Sequence, residues 1–152
     1  MERIPEVEAA RALMNEATSW SVMKWLREKK RVRKTADLAN AALDQMSLAV
    51  QERWPAAMKS AYAALGAQNG GKSTPHSQQK PLPSMDSETS LIARKIKEAD
   101  DEAYRARMDA EKTFDDAEKQ LSTSLAREGC RKAIHSWDLH EAAIHKAKAV
   151  RS

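Results

Sequence analysis

Two long stretches of the chain carry small or apolar residues at steps of three and four, and this spacing limits the possible folds more than any other feature. In the first stretch the positions are Val22, Trp25, Val32, Ala36, Ala39, Leu43, Met46, Val50, Trp54, Ala57, Ala61 and Leu65, with Lys29 interrupting between Trp25 and Val32. In the second they are Ile92, Ile96, Ala99, Ala103, Ala106, Ala110, Phe114, Ala117, Leu121 and Leu125. Residues so spaced share one face of an α-helix, and the alternation is that of a helix-packing seam. The pattern predicts an all-α protein. The first choice is a long antiparallel helical hairpin of coiled-coil type, and the second is a compact four-helix bundle. Composition agrees, because Ala, Leu, Glu, Lys and Arg fill 77 of 152 positions, a bias typical of long helices. With 4 Gly and 5 Pro, the chain lacks the turns that an all-β sandwich or barrel needs.

The seam is thin. Ala occurs 27 times, whereas Leu, Ile, Val and Phe together fill only 22 positions. Burying a Leu-sized side chain contributes roughly 1.5–3 kcal/mol, and an Ala methyl well under half of that. Small side chains do allow two helices to approach closely. The predicted helix-packing interface is therefore Ala36, Ala39, Leu43 and Met46 against Ala99, Ala103, Ala110 and Ala117. Such a core predicts a marginal monomer, or one completed by self-association or by a protein partner.

The chain divides into three parts by composition: a helical segment over 1–66, a flexible linker over 67–85, and a second helical segment over 86–152 packing on the first. Pro5 suits a first helical position, with Glu6 and Glu8 favourable in the first turn. Gly66 suits a helix stop. Pro55 predicts a kink, since it removes an amide and crowds the carbonyl four residues back. Continuous helical segments of about 60 residues would each be roughly 90 Å long. Folding back near Thr35 and near Gly129 would give the bundle instead. Thr35 followed by Asp37 is a weak cap signal, because Leu38 stands where a capping box needs Glu or Gln. Gly129 interrupts a helix at a cost of about 1 kcal/mol.

Several motifs resemble chemistry but lack its context. Gly66-Ala67-Gln68-Asn69-Gly70-Gly71-Lys72-Ser73 matches the phosphate-binding pattern GxxxxGK[ST]. That loop works only between a buried strand and a helix; here a helical pattern precedes it, so a linker that matches by chance is the expected reading. His140 and His145 are one residue too far apart for HExxH. At five residues they point about 140° apart and cannot grip one ion. His140 falls on the apolar face with Trp137 and Ile144, as a core or boundary histidine. His135, Asp138, Glu141 and His145 share a neighbouring face, expected to be a solvated one, and no metal is assigned. Asp100-Asp101-Glu102 and Asp115-Asp116 pair acids, but catalytic carboxylates need an enclosed pocket, and long helices with an Ala seam predict exposed faces. Cys130, the single cysteine, suits a buried thiol in a reducing compartment. No catalytic residue, cofactor or small-molecule substrate is expected.

The basic run is the one feature that points to a partner. Residues 24–34 hold seven basic side chains and one acid. On a helix, Lys24, Arg27, Lys30, Arg31 and Lys34 fall within roughly 120° of arc, with Trp20 among them. A basic stripe bearing an aromatic ring suits phosphates, by charge and stacking. It also suits an anionic membrane surface or an acidic protein. Residues 98–118 hold nine acids against three bases and would partly neutralise the run, since in a hairpin residue i faces roughly 152 − i. The sequence reading is a non-enzymatic helical scaffold, adaptor or assembly component, with a nucleic-acid-binding accessory protein as the alternative. There is no signal-peptide pattern at the start and no apolar run near 18 residues. Cytoplasmic residence is expected, or nuclear in a eukaryotic host, where KKRVRK would pass as an import signal.

Overall fold

A computed structural model describes residues 4–70 and 87–151, in which five α-helices and no strand are present. They are α1 (Pro5–Ala17), α2 (Val22–Glu52), α3 (Ala56–Gly70), α4 (Ser87–Gln120) and α5 (Thr123–Lys148). The protein is all-α and packs as a helical bundle. None of its described helices is long and apolar enough to cross a membrane. The proposed linker begins late, because α3 continues to Gly70 and so takes in 67–70. The rest of that segment, with Lys72 and Ser73 of the phosphate-loop match, lies outside the described residues.

The direction of each helix follows from its cross-helix pairs. Arg33 meets Asp115, and Asp44 meets Arg107, so α2 and α4 run antiparallel close to the hairpin register expected from the sequence. Tyr62 meets Asp100, so α3 continues in the same sense along the first half of α4. The close packing is nonetheless that of the bundle, the second choice, and not of a simple hairpin: α3 lies along α4, whereas α2 packs on α1 and α5 and reaches α4 through long side chains. Further pairs orient α1 and α5. Arg11 of α1 pairs with Asp138 and Glu141 of α5. Trp137 of α5 bonds Asn40, and Trp54 bonds the Ala147 carbonyl, which sets α5 parallel to α2.

The fold-back points differ from those expected, and local chemistry explains both. Thr35 starts no helix: its hydroxyl donates to the Arg31 carbonyl one turn back, and α2 runs straight past it. The break falls instead at 18–21. There the Thr18 and Ser19 hydroxyls donate to the Asn15 and Glu16 carbonyls, and Ser21 caps α2 by accepting from the Lys24 amide at 3.2 Å. Gly129 lies inside α5, and the second break falls at 121–122. Leu121 takes a left-handed conformation (φ 52°), and the Ser122 amide donates to the Ala117 carbonyl at 3.1 Å. That is a Schellman stop with Leu where Gly is usual. The Ser122 hydroxyl then accepts from the Leu125 amide and starts α5. Pro55 produces a full break between α2 and α3, filled by Trp54, whose ring packs edge-on to Tyr62 at 5.1 Å.

The core is built from aromatic residues set among alanines. Trp25, Trp137, Met14, Leu43, Val7, Val32 and Cys130 are its largest fully buried side chains. Trp25 stacks on Phe114 at 5.9 Å. On the predicted interface, Ala36, Ala39, Leu43, Ala103, Ala110 and Ala117 are buried, and Met46 packs against the core while half-exposed. Ala99 is only half-buried. The most extensive helix contact is between α4 and α5. Phe114 against Gly129 and Asp109 against Lys132 set its register. Ala117 then falls opposite Ala126, and Ala110 opposite Ala133. The close partner of the α4 alanine stripe is therefore α5, which the sequence reading had assigned to the first helical segment alone. Ala36 reaches the same place from α2, lining one crevice with Ala110 and Ala133.

Candidate functional site

The basic run occupies the first third of α2. Arg27, Lys30, Arg31 and Lys34 are exposed there, and Lys24 is half-buried. Trp20 does not join them as a stacking surface. It precedes α2 and is 4 % exposed, because the turn at 18–21 folds its ring into the core. What it offers the stripe is its buried ring, over which the Lys24 ammonium sits at 5.3 Å. Arg33, in the basic run but off the stripe, turns towards α4: it bonds Asp115 at 2.9 Å, lies 3.6 Å from Glu118, and covers the Phe114 ring at 5.6 Å.

Neutralisation of the basic run by the acidic one is therefore confined to Arg33 among the described residues. Two other acids of α4 are met elsewhere. Asp109 pairs with Lys132 of α5, and Asp101 with Lys97 of its own helix. Within the stripe, Arg31 meets only Glu28 at 3.6 Å. Arg27, Lys30 and Lys34 have no ion-pair partner among the described residues. At 100° per residue, Met23, Arg27, Lys30, Lys34 and Leu38 fall within about 80° of arc. Met23 is 69 % and Leu38 53 % exposed, so each end of the charged stripe carries an apolar side chain.

A second feature was not read from the sequence. A cleft of about 520 Å³ opens where α2, α3, α4 and α5 meet. Arg107 forms a two-pronged pair with Asp44 at 2.8 and 3.3 Å. Lys97 bonds Asp101 at 3.2 Å, and its ammonium lies 5.7 Å from the centre of the Tyr62 ring. The Tyr62 hydroxyl donates to Asp100 Oδ2. His140 lines the cleft beside Ser136 and Asn40. The expectation that Asp100 and Asp101 lie on a simple solvated face is corrected: both are half-buried in this cleft. Small Ala103 leaves the room, because a larger residue there would fill the gap between α4 and α5.

Burial dominates the titration of the cleft. It pushes the Asp100 carboxyl above the usual carboxylate range, against the Tyr62 hydrogen bond. It pushes Tyr62 up as well, and the Asp100 carboxylate adds to that. It holds His140 below the ordinary histidine value, helped by the nearby Arg107 guanidinium. Elsewhere, burial raises the Cys130 thiol to about 12 despite Arg131.

On α5, Asp138 and Glu141 are engaged by Arg11, and no group of three His, Cys, Asp or Glu side chains converges as a metal site among the described residues. One sequence signal could have found part of the cleft. The hairpin register places residue 44 opposite about 108, which predicts the Asp44–Arg107 pair. The Tyr62–Asp100 pair departs from that register because Pro55 breaks the helix between them.

Comparison with known proteins returns no match: no family model, no curated protein and no solved structure resembles the chain at a significant level.

Proposed function

We propose that this protein is a non-enzymatic binding module, an adaptor or assembly component, that engages an acidic protein surface through the outer face of α2. One observation carries the reading: Arg27, Lys30 and Lys34 stand exposed with no ion-pair partner among the described residues, although the bundle pairs several other charges across its helices. Unpaired cations on a rigid helix steer an anionic partner and set its orientation. Met23 and Leu38 at the ends of the stripe add apolar contact, which suits a protein surface better than a phosphate backbone. The burial of Trp20 removes the stacking ring that favoured nucleic acid.

The test compares the full chain with an Arg27→Glu, Lys30→Glu, Lys34→Glu variant in cross-linking pull-downs from the native host. All three side chains are exposed, so the variant should melt within a few degrees of the parent. The partner captured by the parent should be absent with the variant. An identical capture profile refutes the reading. A parallel titration with duplex DNA separates the second class. Four phosphate contacts, from Arg27, Lys30, Arg31 and Lys34, would give a log–log salt slope of about −3 to −4. Such a slope would move the partner to nucleic acid.

A further inference from the structure

We propose that the cleft between α2, α3, α4 and α5 is a binding site for a small organic cation, an amine or guanidine with a short apolar body, whose charged head rests on Asp100 beside His140. Both the charge balance and the shape of the cleft support this.

Five charged side chains line the walls. Arg107 is matched by Asp44 through both of its terminal nitrogens, and Lys97 is matched by Asp101. Asp100 is the remaining carboxylate. The Tyr62 hydroxyl occupies its Oδ2, and no cation bonds it among the described residues; Lys97, one turn away, is committed to Asp101. With His140 neutral, the lining carries one net negative charge. An anionic ligand would have to pull Asp44 or Asp101 from its partner. A monocation leaves every existing pair intact and supplies the one that is missing. Burial raises Asp100 and outweighs the Tyr62 hydrogen bond and the nearby His140 and Lys97. Burial with Arg107 keeps His140 uncharged, so its ring does not repel a cation and can accept a hydrogen bond from it.

The shape fits a head and a body. Tyr62, Asp100, Arg107 and His140 lie half-buried on the floor, whereas Leu48 and Tyr104 stand at the rim, 60 % and 59 % exposed. A cleft of about 520 Å³ lies in the range of sites for small organic ligands. The pairs Tyr62–Asp100 and Arg107–Asp44 tie three helices together around it, so the floor is held in place before any ligand arrives. This site is separate from the outer face of α2 and does not depend on the function proposed for that face.

The experiment is a titration of the ¹⁵N-labelled full chain with phenethylamine and, separately, with its uncharged isostere 2-phenylethanol. The indole N–H of Trp137 is a built-in reporter, because it bonds Asn40 on the cleft wall at 2.9 Å. Phenethylamine should shift that signal and the amides of 100–107 and 136–140 in a saturable way. The alcohol should bind at least about ten-fold more weakly, as should phenethylamine to Asp100→Asn, since a charge-assisted pair is lost in each case. No saturable shift with the amine, or equal binding of amine and alcohol to the unmodified protein, would overturn the proposal. That comparison holds even if Asp100→Asn fails to fold. Unaltered affinity in a folded Asp100→Asn would overturn it too.

Discussion

Gly129→Ala is a substitution for which helix propensity and packing predict opposite signs. In an exposed helix interior, replacing Gly by Ala stabilises by about 1 kcal/mol. At Gly129 a Cβ would stand 2.8 Å from Phe114 Cδ1, 2.9 Å from Cε1 and 3.3 Å from Cγ. The first two are shorter than carbon–carbon contact allows, and the ring has little freedom to retreat. It stacks on Trp25 with planes 14° apart, and the Arg33 guanidinium covers it. Overpacking of this kind costs typically 1–3 kcal/mol. With the ring held by the indole and the guanidinium, the upper part of that range applies. After the propensity gain, the net loss should be about 1–2 kcal/mol. For a chain of this length each kcal/mol moves Tm by roughly 2–4 °C, so thermal melts followed by circular dichroism should show a fall of about 2–8 °C. The same change made together with Phe114→Leu removes the clash, and there Gly129→Ala should be neutral or stabilising relative to Phe114→Leu alone. A rise in Tm on Gly129→Ala alone would refute the reasoning. So would an equal fall in both backgrounds.

Leu121→Gly should stabilise the α4–α5 turn by about 0.5–1 kcal/mol, since relief of the left-handed strain outweighs the added freedom of the unfolded chain; Leu121 is 56 % exposed and gives up little burial. A lower denaturation midpoint for that variant would contradict the assigned turn. The Cys130 thiol, buried and raised to about 12, should react with a thiol reagent such as DTNB only on unfolding, and fast labelling of the native chain would show that the α4–α5 interface opens. His140 should titrate below its ordinary value of 6.5 in an NMR pH series, because burial and Arg107 both oppose its proton. The unfolded chain takes up that proton first, so the stability gained from the neutral ring is complete above about pH 6.5 and is lost as pH falls through the lowered folded value. An imidazole midpoint at or above 6.5 refutes this.

Much of the helical content was legible because it depends on local order. The three-and-four spacing from Val22 to Leu65 and from Ile92 to Leu125 marks one stripe per helix, buried at its centre with Trp25, Val32, Ala39, Leu43 and Phe114 but open at Ala57, Ile92 and Leu121. The antiparallel sense of α2 and α4, and nearly their register, followed from two helical segments joined by a linker, which sets residue i opposite roughly 152 − i. The helix ends at Ser21 and Ser122 were also written in the sequence, as hydroxyl residues placed to cap the next turn. Their signal was overlooked because the apolar period continues through Leu121 and Leu125, and because Gly129 looked like the stronger break.

Tertiary structure alone decided what the side chains meet. A period says which face of a helix is buried and nothing of which helix covers it, so the α4 alanines were matched to the first helical segment when α5 is their close neighbour. Gly129 reads as a helix breaker until the Phe114 ring is seen against it. Trp20 reads as a partner of the basic residues until the turn at 18–21 carries it inward. The cleft is the clearest case. Its walls bring together Asp44, Tyr62, Asp100, Arg107 and His140 from four helices, at sequence separations that no local pattern records, and the burial that shifts the protonation of Tyr62, Asp100 and His140 exists only once those helices have closed around them.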